Sequence, residues 1–117
     1  MYPIECQSVS PDGMYRIEVR LWEPRHSLWV CSPQIVNARE GDLLFAFEDT
    51  SWSSDRSVWL TSTVVELLLR KYPGSRTGQG VHVLVDCVRL TARWNGGPQI
   101  ELMQLEQALD AAFSDIG

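Results

Sequence analysis

At 117 residues, with 44% apolar and 21% charged residues, the chain has the size and composition of one globular domain, not of a disordered segment. No apolar run approaches the ~18 residues that span a bilayer, which excludes a transmembrane helix. The formal net charge of −5 disfavours phosphate backbones and anionic lipid surfaces, so neither nucleic acid nor membrane is expected as a partner.

A single domain over residues 1–117 follows from the length and from the absence of a linker-like stretch. The start, Met1-Tyr2-Pro3-Ile4-Glu5-Cys6, has neither the basic nor the apolar region of a signal peptide, and a cytoplasmic protein is expected. Cys6, Cys31 and Cys87 are odd in number and lack Cys-x-x-Cys spacing. That pattern suits reduced, buried thiols better than a disulfide framework.

In chain order, Ile4 to Val9 reads as a short strand. Ser10-Pro11-Asp12-Gly13 is a tight turn, in which proline presets φ, aspartate caps the backbone and glycine accepts positive φ. Tyr15, Ile17, Val19 and Leu21 then alternate with Arg16, Glu18 and Arg20, so one face is buried and one is wet. Trp22 falls on the polar side by parity. Pro24 breaks the pattern, and Leu28 to Cys31 is a third strand with Pro33 marking a bulge or an edge. Gln34 to Asn37 and Leu43 to Phe47 flank Ala38 to Asp42 as a hairpin with glycine at its turn. Glu48 to Arg56 reads as a polar loop carrying Trp52, with the next strand beginning at Val58.

Val64 to Tyr72 is too short for periodicity to separate helix from strand, and its β-branched start favours strand. Pro73-Gly74 ends it. Val81, Val83 and Val85 alternate with His82 and Leu84, and Leu90 to Trp94 returns as the partner strand. After Asn95-Gly96-Gly97-Pro98 the period changes. Leu102, Leu105, Leu109, Ala112 and Phe113 recur at helical spacing, with Glu101, Glu106 and Asp110 outward.

The phrase before the second strand has a parallel, because Ser51-Trp52-Ser53-Ser54-Asp55-Arg56 precedes Val58-Trp59-Leu60 much as Ser8 to Gly13 precedes Tyr15 to Leu21. A propeller needs about four blades, and this chain has room for fewer than three. The expected fold is therefore α+β and mostly β. It is an antiparallel meander sheet, curled or sandwich-like, with one C-terminal amphipathic helix.

Candidate chemistry is sparse. A nucleophilic triad needs a histidine oriented by a carboxylate beside a serine or cysteine, and only His26 and His82 exist. His82 alternates with valines, so it faces solvent. His26, in the loop broken by Pro24, is the better candidate for a small hydrolase-like enzyme. Cys31 and Cys87 each lie five residues from a histidine, on opposite faces of a strand, so no metal and no cofactor is expected. The five tryptophans carry more weight. Trp29 and Trp59 read as core. For Trp22 and Trp52 both core and exposed anchor remain open. Exposed tryptophan beside carboxylates is the composition of protein-binding hot spots. Trp22, Trp52, Glu48, Asp49 and Asp55 are therefore the expected partner-contact residues of a non-enzymatic binding protein.

Three phrases together carry a resemblance: Ser10-Pro11-Asp12-Gly13 leading into Tyr15-Arg16-Ile17-Glu18-Val19, Val58-Trp59-Leu60 with Val64-Val65-Glu66-Leu67, and Arg70-Lys71-Tyr72-Pro73-Gly74. They resemble a group of small proteobacterial proteins of the kind found beside polymorphic or contact-delivered toxins. The resemblance implies an immunity protein, an acidic stand-alone domain that binds one cognate toxin and blocks its active site. It carries no site residue over, since contacts in such pairs differ from pair to pair. The expected partner is a basic toxin domain, with the chain itself a monomer or homodimer. A structural or assembly β-domain, with exposed strands pairing to another copy, is the further alternative.

Overall fold

Alternating side chains become two antiparallel sheets in the computed structural model, which describes residues 3–22, 30–71 and 80–113. The first sheet holds β1 (Ile4–Val9), β2 (Tyr15–Trp22), β3 (Val30–Asn37) and β4 (Asp42–Ala46). The second holds β5 (Trp52–Trp59), β6 (Val64–Lys71), β7 (Val81–Asp86), β8 (Thr91–Trp94) and β9 (Ile100–Glu101). Each sheet is a meander in which spatial order equals chain order, and the chain changes sheets once, at residues 47–51. A 3-10 turn (Leu102–Gln104) leads into the single helix α1 (Leu105–Phe113). The fold is mostly β with a short C-terminal helix, as the patterning predicts.

The turn between β1 and β2 is closed by its own side chains. Gly13 N–H donates to Ser10 O at 2.9 Å, and the Asp12 carboxylate accepts the Met14 N–H at 3.1 Å and the Ser10 hydroxyl at 2.9 Å. Gly13 has φ +78°, a conformation a Cβ would strain. Those hydrogen bonds hold the Asp12 carboxyl below its usual range, the Met14 N–H first and the Ser10 hydroxyl second.

Pro33 lies inside β3, opposite Val19 of β2 and buried. The backbone N–H of Cys31, two residues earlier, points away from β2 and donates to Ser53 Oγ at 3.0 Å. By strand parity the Pro33 nitrogen points the same way. The paired residues of β4 reach no further along β3 than Gln34, so the proline removes no ladder bond.

Ile17, Ile35 and Phe45 from the first sheet, with Phe47 at the start of the crossover, meet Val65, Leu67, Leu69, Val83 and Val85 from the second. Leu102, Leu105 and Leu109 close this core from the helical side. Full burial of one such side chain contributes about 1.5–3 kcal/mol. The sheets stay open as a sandwich. Where β1 meets β5, side chains form the seam: Gln7 Nε2 donates to Ser54 O at 2.9 Å, and Ser54 Oγ donates to Gln7 Oε1 at 2.9 Å. Trp59 Nε1 donates to Ser8 Oγ at 3.0 Å, and the Ser8 and Ser57 hydroxyls share a short hydrogen bond.

Several expectations change. β5 begins at Trp52, six residues before Val58, because Ser53 and Ser54 find hydrogen-bond partners inside the fold and can be buried in a strand. The parallel between the two serine-rich phrases therefore fails: the first is a turn, the second is strand. Asp55 sits at a register shift in β5. Val64 to Lys71 is strand, as favoured. Leu102 belongs to the 3-10 turn, and Ala112 is exposed where the periodicity places it inward. Of the thiols, Cys87 is buried, Cys31 half-buried and Cys6 exposed, so the buried reading holds for Cys87 alone. Leu28, Trp29 and His26 lie outside the described residues.

Candidate interaction site at the sheet crossover

Strand direction sorts the connections into two ends. Residues 10–14, 38–41, 60–63 and 87–90 turn at one end. At the other, the chain crosses between sheets through 47–51, beside the ends of β2 and β6. This crossover end gathers four of the five expected contact residues, Trp22, Glu48, Asp49 and, buried beneath them, Trp52.

The crossover is tied from two sides. The Glu106 carboxylate on α1 accepts the backbone N–H of Glu48 at 2.8 Å and of Asp49 at 2.9 Å, one on each oxygen. From β2, Trp22 Nε1 donates to Thr50 O at 3.0 Å. Asp49 also accepts the Ser51 N–H at 2.9 Å. Each bond satisfies a loop group that no sheet ladder reaches.

Lys71, the last residue of β6, sits at the centre. Its ammonium lies 2.9 Å from Asp110 Oδ1 and 3.3 Å from Asp49 Oδ2. It also stands 5.6 Å from the centroid of the Trp52 ring. Trp52 Nε1 donates to the same Asp110 oxygen at 3.1 Å, and the indole stacks on Phe47 at 5.6 Å. Asp49 is held below the usual carboxylate range, first by the Ser51 N–H and further by Lys71, against desolvation. Lys71 is raised, chiefly by its hydrogen bond to Asp110 with Asp49 adding, against desolvation.

Glu48 and Asp49 thus share the crossover loop, and Trp22 at the end of β2 is bonded to it. Trp52 lies beneath it at 2% exposure, which makes it a core residue and corrects its expected role as a surface contact. Its ring fills the space between Phe47 and α1, and its one polar atom is spent on Asp110. Asp55 stands elsewhere, on the outer face of the second sheet, where Arg70 grips it at 2.6 and 3.1 Å. Lys71, Glu106 and Asp110 are the residues that sequence reasoning missed as part of this group. Glu106 and Asp110, expected outward, are half-buried against the crossover and Lys71. Their four-residue spacing puts them on one helical face, but their partners lie 39, 57 and 58 residues away in sequence.

His82 faces solvent as expected, with Nδ1 3.7 Å from Glu66 Oε1 on the open outer face of its sheet. Burial pushes the Cys87 thiol up to about 12, with Asp86 adding to it, which keeps this core sulfur in its protonated form. Among the described residues, no helix is long and apolar enough to cross a membrane. Searches against protein-family models, curated proteins and solved structures find no match to this chain.

Proposed function

We propose that this chain is a non-enzymatic protein-binding module, an immunity-type protein that occludes a basic toxin domain through its crossover end. One observation carries the reading. At the crossover end Asp49 and Asp110 hold the Lys71 ammonium between them, while the Glu106 carboxylate takes the Glu48 and Asp49 backbone N–H groups and the Glu48 side chain is exposed beside them, so that four carboxylates and one ammonium share this end among the described residues. The local excess of negative charge is held in place by backbone hydrogen bonds, so little ordering entropy remains to be lost on binding. Such a field accelerates encounter with a basic surface and selects against acidic ones. The exposed Glu48 and the half-buried Trp22 provide a charged contact beside an aromatic one.

The test is co-expression with the product of the neighbouring gene. Co-purification together with rescue of growth is expected. Absence of both a complex and rescue sinks the reading. Glu48→Lys in the same assay slows association and flattens its salt dependence, with the fold intact.

A further inference from the structure

Four large apolar side chains gather at the opposite end, where the turns are. Leu60 is 55% exposed, Val88 61%, Leu90 43% and Met103 75%. Hydrogen bonds set their segments side by side. Cys87 N–H donates to Thr63 O at 2.8 Å, which joins the β5–β6 turn to the β7–β8 turn. Leu102 N–H donates to Leu90 O at 2.8 Å, which brings in the 3-10 turn that carries Met103. The four segments lie side by side along the end of the second sheet, so their exposed apolar side chains are grouped at one place, the arrangement that marks an interaction surface.

Leu90 is unusual for a separate reason. Its φ is +57°, the left-handed region, which costs an L-residue with a Cβ about 1–2 kcal/mol. The following turn fills the same conformation with Asn95 and Gly96, the residues suited to it. The β7–β8 turn does not need a leucine to close. Asp86 Oδ1 already accepts the Val88 N–H at 3.0 Å and the Arg89 N–H at 2.9 Å, and Leu90 N–H donates to Asp86 O at 2.9 Å. Leu90 therefore has a strained backbone and a side chain that is half in solvent, with neither turn chemistry nor full core burial to account for it.

The rim is self-complementary. Arg89 stands between Val88 and Leu90, and Glu101 stands beside Leu102; both are exposed. Neither side chain has a hydrogen bond or ion pair with another described residue. A uniformly basic or uniformly acidic partner satisfies one and opposes the other. A second copy related by a two-fold axis satisfies both, twice over.

We propose that this turn end is a homodimer interface. Leu60, Val88, Leu90 and Met103 of two copies bury one another, and Arg89 of each copy pairs with Glu101 of the other. The crossover end, at the far side of the sandwich, stays free, so the proposal does not rest on the toxin-binding reading.

Sedimentation equilibrium of the full chain, from low micromolar to several hundred micromolar, tests it. The wild-type chain is expected to sediment as a dimer. Leu90→Gly suits the backbone and removes the side chain. It is expected to weaken the dimer at least about tenfold with an unchanged circular dichroism spectrum. Arg89→Glu and Glu101→Arg each weaken the dimer by like-charge repulsion, and the double variant recovers affinity. A wild-type chain that stays monomeric throughout overturns the proposal in favour of a different protein as occupant. A dimer indifferent to Leu90→Gly and Arg89→Glu overturns it in favour of an interface elsewhere.

Discussion

The two ends of this sandwich are closed by opposite means. At the turn end, the side chains that close the turns serve their own turns, with backbone bonds linking one turn to the next: Asp12 serves its own turn, Asn37 Oδ1 accepts the Arg39 and Glu40 N–H groups, and Asp86 serves its own turn. At the crossover end, the loop borrows its partners from β2, β6 and α1. A self-sufficient turn folds wherever its residues occur. A borrowed loop holds only when three distant elements have already assembled. The first kind of end leaves side chains free for other purposes, as the exposed apolar row illustrates. The second concentrates charge, because carboxylates are the groups that can satisfy several backbone and side-chain donors at once.

The comparison can be broken most severely at Trp52. Trp52→Ala removes the ring that supports the crossover from below and is expected to cost about 3–5 kcal/mol. Urea unfolding followed by circular dichroism measures it. Trp52→Phe keeps the stacking on Phe47 and loses only the bond to Asp110, at about 1–3 kcal/mol by the same measurement.

Glu106→Ala unties the loop from α1 at about 1–2 kcal/mol. Hydrogen exchange reads it locally: the Glu48 and Asp49 amides should lose protection while the turn-end amides of Val88 and Arg89 keep theirs. Equal loss at both ends would show that the ends are not independent.

Acidity separates the ends more gently. The Asp49 carboxyl is depressed in the folded state, so its contribution is present above the ordinary carboxylate range and is lost as pH falls through its lowered folded value. Lys71 is raised, so its contribution is present below the ordinary lysine value and is lost as pH rises through its raised folded value. The crossover is therefore most firmly held between these limits. Trp52 emission recorded against pH should change at both extremes, and Lys71→Met should remove the alkaline change. The smallest effect is expected from Gly13→Ala. It forces a Cβ into the left-handed region at about 1 kcal/mol and leaves crossover exchange rates untouched.

Local patterning was enough to read the strands from Tyr15 to Trp22 and from Val81 to Asp86, because one face of each is buried and the alternation is strict. It was also enough for the Asp12 turn, whose partners lie within five residues. β5 was legible only from its apolar half. Ser53 and Ser54 carry no strand signal by themselves, and what makes them strand residues is Cys31 and Gln7, which the chain supplies 22 and 47 residues earlier. The acidic group was half legible: Glu48 and Asp49 stand out beside tryptophans, whereas Glu106 and Asp110 look like the wet face of any amphipathic helix.

Composition and period-2 alternation by themselves determined a mostly β single chain with a helical end, since these depend on neighbours along the sequence. Which carboxylates meet Lys71, which tryptophan is core and which apolar side chains line up at the turn end were decided by the packing of two sheets and a helix. Those contacts join residues far apart in the chain, and their energies exist only after the core has paid the entropy of bringing them together.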